Sequence, residues 1–492
     1  MEILPLDSIN QLASPNPDGS SPQTFEQLVI TRGSLPSTTQ DGYSVPSDSS
    51  WGCRVTGVIA IRNETKSRWE RRAPLTPDLV RHLVHNQDVT VLVQPSARRV
   101  FHDKEYVRAG ATMASDLGEA SVIFGVKEIP PEKLQPKTTY VFFSHTVKGQ
   151  PQNMPTLRRL MELECTLIDY EKVTDDQGRR LIFFGRFAGL AGMIDTLWTM
   201  GQRFLARGIK TPLSEIQPAH TYDSLEDARK ALAKVSRSIA DEGFPAEVVP
   251  VTIGIAGYGN VAKGAQEILA DLPHRVITPD ELRELDSSST VSANCIYTTT
   301  FKEEDLVEPN DPQRPFDLQD YYNHPEGYRS KFLPFLPHLT VLVNANYWDE
   351  RYPRLVTLDS LQDLHSNDGK PKLQVIGDLG CDIGGNVECT LKCTDPGDPV
   401  FTWNPATGEI ASGTAGPGPA VLAVDFLPTE LPREASEEFA STLSRFAADI
   451  GTADYSSSFE NLNLPPEIKR AVIVHRGALT PDYRYLEDHL MP

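Results

Sequence analysis

The stretch Val251–Leu269, VTIGIAGYGNVAKGAQEIL, is typical of a buried strand, a glycine turn and the first turns of a helix. The pattern Gly257-x-Gly259-x-x-Ala262 lies between that strand and that helix, as a dinucleotide-binding turn requires. The first glycine permits a tight turn, the second lets the backbone approach a pyrophosphate, and the alanine packs helix on strand. An ordinary strand-to-helix turn is the alternative. The candidate cofactor-binding residues are Gly257, Gly259, Asn260, Val261 and Ala262. The helix that follows the turn has an N-terminus that attracts negative charge.

This turn comes unusually late, because some 250 residues precede it. The chain of 492 residues is long enough for about three domains. Its formal net charge of −20 argues against nucleic acid or an anionic membrane as a partner, since phosphates would be repelled. No apolar run reaches the roughly 18 residues that a membrane span needs, so we expect a soluble protein.

The first 50 residues carry six acidic groups and one basic group, Arg32. They match neither a mitochondrial transit peptide, which is rich in arginine, nor a secretory signal. We expect residues 1–54 to be a polar, partly disordered tail. Six scattered cysteines indicate a reducing compartment. Cys381, Cys389 and Cys393 lack the paired spacing of zinc sites, so we expect buried thiols and no metal.

From residue 57 the sequence alternates between strand and helix patterns. GVIAIRNE, VTVLVQP, ASVIFGVKEIP and TTYVFFSHTVK are typical of strands, and LTPDLVRHLVHNQ of an amphipathic helix. Such alternation predicts a parallel sheet in a doubly wound α/β domain. A separate α/β unit therefore precedes the glycine turn, and we expect two Rossmann-like doubly wound parallel-sheet domains with a catalytic cleft between them.

Polar residues follow the strands of this first unit. Lys127 and Glu128 come directly after one apolar run, and His145 comes directly after the next. In open parallel sheets, ligands bind beyond the carboxyl ends of the strands, so these side chains are predicted to share one crevice. Arg62 and Glu64 leave the first strand at the same edge, and the loop that follows contains Glu70, Arg71 and Arg72.

Each of these residues alone has an ordinary structural interpretation. A lysine beside a glutamate is commonly a solvated pair, and a histidine at a strand end is commonly a structural hydrogen-bonding group. Their conjunction is more informative. A lysine, a histidine and an arginine facing one crevice suit acid–base chemistry on an anionic substrate.

Eight motifs in order resemble a known family: ERRAPLTP, GVKE, FFSHTVK, IDYEKVTDDQGRR, FFGRFAGLAGM, GYGNVAKGAQ, NANYWDERYPRL and LPREASEEF. Together they resemble the lysine–ketoglutarate reductase half of bifunctional aminoadipate semialdehyde synthase. They are similar, more distantly, to the fungal saccharopine dehydrogenase that forms lysine. The resemblance runs from about Val55 to the C-terminus. In the bifunctional protein a second, glutamate-forming dehydrogenase follows, and we expect this chain to be a stand-alone reductase.

The resemblance implies reductive condensation of L-lysine with 2-oxoglutarate to give saccharopine, with oxidation of NADPH, in lysine degradation. It also implies possible coupling to a separate saccharopine dehydrogenase that forms glutamate. Animal relatives are mitochondrial, whereas this N-terminus favours the cytoplasm.

The resemblance also implies the site residues. Its acid–base pair corresponds to Lys127 and His145, which the strand-end pattern had already selected. Its lysines near the site correspond to Lys66 and Lys148, whose like charge would lower the pKa of the acid–base lysine. The substrate-binding candidates are Arg72, Arg180, Glu128, Glu171 and Asp382. Arg71 and Arg179 are expected to be surface charges.

The cofactor can be approached from the residues. A carboxylate about 20 positions past the first glycine would bind the ribose of NAD and repel a 2′-phosphate. At that distance the sequence reads HRVITPDEL, with Thr278 at the strand end and Arg275 nearby. Asp280 and Glu281 are predicted to start the next helix. The sequence therefore favours NADPH, with NAD as the alternative.

The predicted organisation is a tail over 1–54, a catalytic domain over 55–185, a dinucleotide-binding domain over 186–405, and a C-terminal segment over 406–492 that packs on the catalytic domain. Three alternative functions remain: an NAD-dependent lysine-forming enzyme, an alanine dehydrogenase-like enzyme, and a nucleotide-sensing protein without activity. The small substrate of an alanine dehydrogenase gives no evident use for Arg180. A sensor would be expected to have a damaged site.

Overall fold

The computed structural model describes residues 57–285, 290–368 and 371–490. The predicted tail over residues 1–54 lies outside the described residues. The division of the chain at residues 185 and 405 stays a prediction.

Most strands belong to two eight-stranded sheets. In chain order the strands are β1 Val58–Ile61, β2 Thr90–Val93, β3 Thr112–Met113, β4 Val122–Phe124, β5 Thr139–Phe142, β6 Thr166–Asp169, β7 Thr252–Ala256, β8 His274–Val276, β9 Ile296–Phe301, β10 Val307–Pro309, β11 Tyr328–Ser330, β12 Val341–Asn344, β13 Val375–Asp378, β14 Val400–Trp403, β15 Ile410–Ser412, β16 Ala420–Leu422, β17 Val472–His475 and β18 Ala478–Leu479.

Helices connect most of the parallel strands. They are α1 Pro77–Asn86, α2 Asp103–Arg108, α3 Met154–Glu162, α4 Gly185–Ala206, α5 Leu225–Asp241, α6 Asn260–Leu269, α7 Pro279–Glu284, α8 Glu303–Leu306, α9 Leu318–Asn323, α10 Leu358–Asp368, α11 Pro432–Leu443, α12 Ala447–Thr452, α13 Pro466–Lys469 and α14 Glu487–Leu490.

The two large sheets have doubly wound strand orders. The first is β18-β17-β6-β5-β4-β1-β2-β3 and the second is β15-β14-β16-β13-β12-β7-β9-β8. Strands β1 to β6 pair in parallel, as do β7, β8, β9, β12, β13 and β16. The predicted α/β class with two parallel-dominated sheets is confirmed.

One edge of each sheet is antiparallel, a detail that the prediction of doubly wound parallel sheets did not include. Strand β17 runs antiparallel to β6 and to β18, and β14 runs antiparallel to β16 and to β15. In the β17–β18 and β14–β15 hairpins the reason is local, because short connections join antiparallel strands. Arg476 and Gly477 join β17 to β18 with φ values of 50° and 81°, the left-handed pair that tight hairpin turns need.

Helices α4 and α6 approach each other so closely that their backbones touch. A Cβ atom on Gly189 would lie 1.9 Å from the Val261 carbonyl oxygen, and one on Gly264 would lie 2.1 Å from the Arg186 carbonyl oxygen. Only glycine fits at these two positions. Helix α6 is the one that the Gly257 turn begins, so α4 is fixed against the unit that contains this turn.

The first sheet packs on one hydrophobic core, the first core, and the second sheet packs on two, of which the one that includes α4 is called the second core. We call the first sheet with its helices the first lobe, and the second sheet with its helices the second lobe. Phe184, just before α4, packs against the first and the second core. Helix α11 begins in the second core with Ala435 and ends in the first with Phe439 and Leu443. The chain therefore crosses between the lobes at two described places that lie side by side, since the Phe184 and Phe439 rings stack 5.1 Å apart.

The cysteines depart partly from expectation. Cys165, Cys381 and Cys389 are buried, but Cys393 is exposed. All of them, with Cys295, are free thiols. Within the described ranges, no helix is long and apolar enough to cross a membrane, and no group of three or more His, Cys, Asp or Glu side chains could hold a metal ion.

The α4–α6 contact makes a prediction about stability. Replacing a helical glycine by alanine normally stabilises by about 1 kcal/mol. At Gly189 the new methyl group would meet backbone, and we expect Gly189→Ala to destabilise by at least about 2 kcal/mol. The measurement is urea unfolding followed by circular dichroism. Gly327→Ala, where a Cβ would meet nothing within 4 Å, is the matched control and should change stability by less than about 0.5 kcal/mol. Equal effects of the two variants would contradict the backbone contact.

Candidate active site

Three predicted residues meet at the carboxyl edge of the first sheet. Lys127 and Glu128 follow β4, and His145 follows β5, its neighbour in the sheet. His145 has a φ of 49°, a left-handed conformation that is costly for a side-chain-bearing residue. That turn presents the imidazole to Glu128, with Nδ1 at 2.7 Å from Oε1.

Glu128 is an ionised partner for this histidine. Burial alone would raise its pKa, but the hydrogen bond with His145 and the charges of His145 and Lys66 outweigh burial and lower the pKa to about 2. Lys66 Nζ lies 3.5 Å from Oε1. The other oxygen, Oε2, is buried and has no hydrogen-bond partner among the described residues. It is an acceptor available to a ligand.

A buried aspartate fixes the backbone that leads to His145. Asp169 is the last residue of β6 and is fully buried. Its carboxyl accepts hydrogen bonds from the Ser144 amide at 3.0 Å, from the Ser144 hydroxyl, and from the Glu171 amide at 2.7 Å. Burial raises the pKa of Asp169, and these hydrogen bonds oppose the rise. Asp169 was not among the predicted site residues, although an acidic residue that directly ends the run CTLID is a visible signal.

Glu64, which the strand-end pattern placed at this edge without a role, positions Lys127. Its carboxylate accepts hydrogen bonds from the backbone amides of Val126 at 2.8 Å and Lys127 at 3.2 Å, and from Arg62 at 3.1 Å. It is buried. The first strand of the sheet therefore holds the start of the loop that carries the lysine.

The surroundings of Lys127 favour its neutral amine. Burial lowers its pKa, and the nearby Arg72 guanidinium lowers it further, against the opposing charges of Glu128, Glu70 and Asp425. This agrees in direction with the requirement for a working pKa nearer neutrality.

Arg72 is not a free guanidinium. It is buried and donates two hydrogen bonds to the Glu70 carboxylate, from Nε at 2.8 Å and from Nη2 at 2.6 Å. Its guanidinium lies over the Phe184 ring at 4.2 Å. A substrate carboxylate would therefore meet an arginine that Glu70 already neutralises, and Glu70 was not among the predicted site residues. The adjacent Arg71 is exposed, as predicted.

Arg180 and Glu171 form a long, weak ion pair. Arg180 Nη1 is 3.9 Å from Glu171 Oε1, and the arginine side chain is 43% exposed. This guanidinium is accessible and weakly paired, which suits binding of a carboxylate. Arg179 bonds to Asp175 on the surface.

The second lobe contributes acidic and aromatic groups. Phe426, after β16, lies with its ring 5.4 Å from Lys127 Nζ. Its neighbour Asp425 is exposed and acts electrostatically on both Lys127 and Asp382. Partial burial raises the pKa of Asp382, which Lys148 of the first lobe opposes. Asp425 was missed because its strand, β16, is only three residues long and gives little signal.

The glycine turn has the predicted geometry for close approach. Gly257 has a φ of 103°, and a Cβ there would lie 2.5 Å from Asn346 Oδ1. Gly259 caps α6, and a Cβ there would meet nothing within 4 Å. Asn260 and Val261 begin the helix, and Ala262 is fully buried. Open space in front of a helix N-terminus suits an anionic phosphate.

The residue predicted at the end of β8 is engaged in the next helix. Thr278 caps α7, and the Thr278 amide donates a hydrogen bond to the Glu281 carboxylate at 2.8 Å. The helix starts at Pro279, where the sequence predicted it. Glu281 is therefore occupied by helix capping.

The cavity that borders Arg62 lies apart from this chemistry. It has a volume of about 470 Å³ and is lined by Gln94, Lys133, Gln135 and Tyr140 among others. None of the predicted site residues belongs to its wall.

Comparison with known proteins supports the resemblance. Residues 60–191 match the alanine dehydrogenase/PNT N-terminal domain family. The chain is 39% identical over 445 residues to alpha-aminoadipic semialdehyde synthase of Arabidopsis thaliana, covering 87% of this chain and 41% of that protein. It is 37% identical over 465 residues to the mitochondrial protein of that name from Bos taurus, covering 92% and 50%. The chain thus spans about half the length of these curated relatives.

Two further similarities bear on the fold. A saccharopine dehydrogenase [NAD(+), L-lysine-forming] of Neurospora crassa is 27% identical over 398 residues, covering 78% of this chain and 89% of that protein. A solved L-alanine dehydrogenase superposes with a TM-score of 0.57 at 18% identity, covering 88% of this chain and all of that chain. The recognised resemblance and the two-lobed fold are confirmed, and a dehydrogenase family of this kind implies a nicotinamide cofactor.

Lys127 should titrate below the usual range for a lysine. Because burial and Arg72 disfavour its charged form, the midpoint of its acetylation by acetic anhydride against pH is expected to lie below about 10.4. Peptide mass spectrometry measures the midpoint for each lysine in one sample. In Arg72→Met the midpoint should rise, because a positive neighbour is lost and Glu70 is left unpaired. A wild-type midpoint at or above the usual value would contradict this assignment.

Proposed function

We propose that this chain, a homologue of the alpha-aminoadipic semialdehyde synthases on the alanine dehydrogenase fold, is a lysine–ketoglutarate reductase. It condenses L-lysine with 2-oxoglutarate and reduces the product to saccharopine with NADPH. The observation that carries the proposal is the pairing of a lysine of lowered pKa with a carboxylate-bound histidine at adjacent strand ends, Lys127 after β4 and His145 after β5.

The residues divide the proton transfers of an imine-forming reaction. The ε-amine of the substrate must lose a proton before it attacks the 2-oxo carbon, and Lys127 is suited to accept it because burial and Arg72 lower its pKa from the usual range of a lysine. The carbinolamine hydroxyl must gain a proton to leave as water. His145, held by ionised Glu128, can carry that proton. Bound NADPH supplies the hydride that reduces the imine.

Cations near the site suit a substrate with several carboxylates. Arg180 is accessible and loosely paired, and Lys148 is exposed. The Arg72 guanidinium is also bonded to Glu70. Arg72 therefore suits orienting a substrate carboxylate better than attracting it by net charge. Asp382 and Glu171 are the acidic members of the set and suit the α-ammonium group of lysine.

The dinucleotide is assigned to the Gly257 turn, with Gly259, Asn260, Val261 and Ala262. NADPH is favoured over NADH because Glu281 is engaged in helix capping, which leaves it unavailable to a ribose 2′-hydroxyl. Lys302, directly after β9, is an exposed cation at the same edge. The NAD-dependent lysine-forming reaction is the second candidate, because the fungal relative carries that name and matches 78% of the chain.

We also propose a cytoplasmic location and functional coupling to a separate glutamate-forming saccharopine dehydrogenase. The names of the mammalian relatives specify mitochondria, so location is a point on which this protein would differ from them. Fractionation of cells that express the tagged full-length chain tests it.

The activity is tested by NADPH oxidation at 340 nm with purified protein. We expect oxidation only when L-lysine and 2-oxoglutarate are both present, faster with NADPH than with NADH, and lowered by at least about 100-fold in Lys127→Met and His145→Gln. The controls are Lys104→Met and His82→Gln, exposed residues on α2 and α1. Faster oxidation with NADH would favour the lysine-forming alternative. Oxidation with pyruvate and ammonia would favour the alanine dehydrogenase alternative.

The glycine turn gives a separate test of cofactor binding. Gly259→Ala should fold normally, since a Cβ there meets no other atom, but the added methyl should obstruct the pyrophosphate and weaken NADPH binding about tenfold or more. Gly257→Ala should instead lower the melting temperature, because of its positive φ and the close Asn346 side chain. Fluorescence titration with NADPH and thermal unfolding separate the two effects. Unchanged NADPH affinity in Gly259→Ala would remove the turn from the cofactor site.

A further inference from the structure

Two carboxyl groups face each other in the interior of the second lobe. Asp195 lies in the middle of α4 and is fully buried, and Glu430 lies just before α11 and is 2% exposed. The two carboxyl groups lie close enough to shift each other's pKa. One oxygen of each, Asp195 Oδ2 and Glu430 Oε1, has no other donor within the part of the chain that the structure describes.

A single backbone turn holds both carboxyl groups in place. The amide of Ala219 donates to Asp195 Oδ1 at 2.7 Å, and the next amide, of His220, donates to Glu430 Oε2 at 3.2 Å. Because adjacent amides donate to one oxygen of each carboxyl group, the two groups lie side by side, and neither remaining oxygen has a donor of its own among the described residues. Two acceptors can bond only if one of them carries a proton.

The neighbouring groups do not neutralise two negative charges. His220 Nδ1 lies 3.5 Å from Glu430 Oε2, but burial lowers the pKa of this histidine. Trp69, from the first lobe, packs edge-on against it at 5.0 Å. The other facing groups are Tyr222, Asp395 and Arg68, and Arg68 pairs with Asp395 at 3.6 Å. Two buried, unneutralised carboxylates in contact are strongly unfavourable.

Glu430 ends a short turn that reaches the candidate active site. The turn spans Leu427–Thr429, and Leu427 is buried against α4. The Glu430 amide donates to the Leu427 carbonyl at 3.1 Å. Phe426, directly before the turn, lies 5.4 Å from Lys127 Nζ. Anchoring Glu430 therefore fixes the aromatic ring that contacts the lysine.

We propose that Asp195 and Glu430 keep a shared proton between them, and that this proton anchors the turn that holds Phe426 and Asp425 against Lys127. The two carboxyl groups are then positioning residues for the acid–base step. The functional part of this inference rests on the proposed reductase activity, whereas the shared proton does not.

The shared proton has a defined effect on stability. Burial raises the pKa of Asp195 and raises that of Glu430 to about 7, and the pair titrates as a unit. Both carboxyls titrate near 4 when unfolded, so the native state binds more protons. Its stability is fully present below about pH 4 and is lost as the pH rises through about 7 and above.

Three readouts on the full chain test the proposal. The variants are Asp195→Asn, which can donate a hydrogen bond to Glu430 without a shared proton, and Asp195→Ala, which leaves Glu430 alone. Asp363→Asn, an exposed carboxylate on α10, is the control for loss of one charge. The readouts are melting temperature from pH 6 to pH 9, acetylation of Lys127, and kcat and KM for NADPH oxidation.

The wild type and the control should lose melting temperature as the pH rises to 9, and Asp195→Asn should lose about half as much. Lys127 acetylation should be several-fold faster in Asp195→Ala than in the wild type at the same pH, and normal in Asp195→Asn. The kcat should fall several-fold in Asp195→Ala with the KM for NADPH unchanged, and the Asn variant should restore it.

Each contrary result has one meaning. Equal pH slopes for the wild type and Asp195→Asn would overturn the shared proton. Wild-type Lys127 acetylation in folded Asp195→Ala would overturn the positioning role. If Asp195→Ala does not fold, the wild type and Asp195→Asn are compared at pH 9, where the wild type has lost the shared proton. The proposal then requires faster acetylation of Lys127 in the wild type than in Asp195→Asn. If none of the proteins oxidises NADPH with both substrates, the reductase proposal fails, and the first two readouts still decide this one.

Discussion

The backbone contact between α4 and α6 is the constraint on which the arrangement of the two lobes depends. Gly189 and Gly264 let the helices approach to a distance that no side chain permits. Because α6 begins at the glycine turn, and α4 begins beside Phe184 and Arg72, this contact sets the distance between the nucleotide-binding turn and the first lobe. Helix α4 therefore fixes the distance between the glycine turn and Arg72, which are far apart in the sequence.

The candidate active site depends on buried acids that do no chemistry themselves. Glu64 holds the amides around Lys127, and Asp169 holds the backbone before His145. Each carboxyl accepts several hydrogen bonds, which offsets the cost of its burial. The acid–base side chains therefore project from loops that are fixed at the strand ends. Glu70 does the same for Arg72 and at the same time offsets part of its charge.

Strand-end reasoning predicted the fold, and it placed the candidate acid–base residues at one sheet edge, because both depend on local patterns. Apolar runs followed by polar residues place Lys127, Glu128 and His145 at one sheet edge in any parallel α/β order. The antiparallel edges were missed because β15, β16 and β18 are two or three residues long. Asp425 and Phe426 were missed because they reach Lys127 only through the packing of one lobe on the other. No pattern within a short window of sequence encodes that contact.

The partial neutralisation of Arg72 could not be read from the sequence either. ERRAP shows three charges in a row, and nothing in the order of residues shows that Glu70 folds back on Arg72 and not on Arg71. The buried pair Asp195 and Glu430 is a further case, since 235 positions separate its members. Both pairings depend on which side chains are buried together in the folded chain, and the order of residues does not show this.

The stacked rings of Phe184 and Phe439 mark where both described crossings between the lobes lie. Two tethers that are side by side leave rotation about the line through them as the easiest relative motion, since sliding would strain both at once. Any point on that line stays still while distant points sweep an arc. Arg72 lies against Phe184, close to that line, so a rotation of this kind would displace Arg72 less than groups far from the line. A ligand bound at Arg72 would then keep nearly the same distance to both lobes.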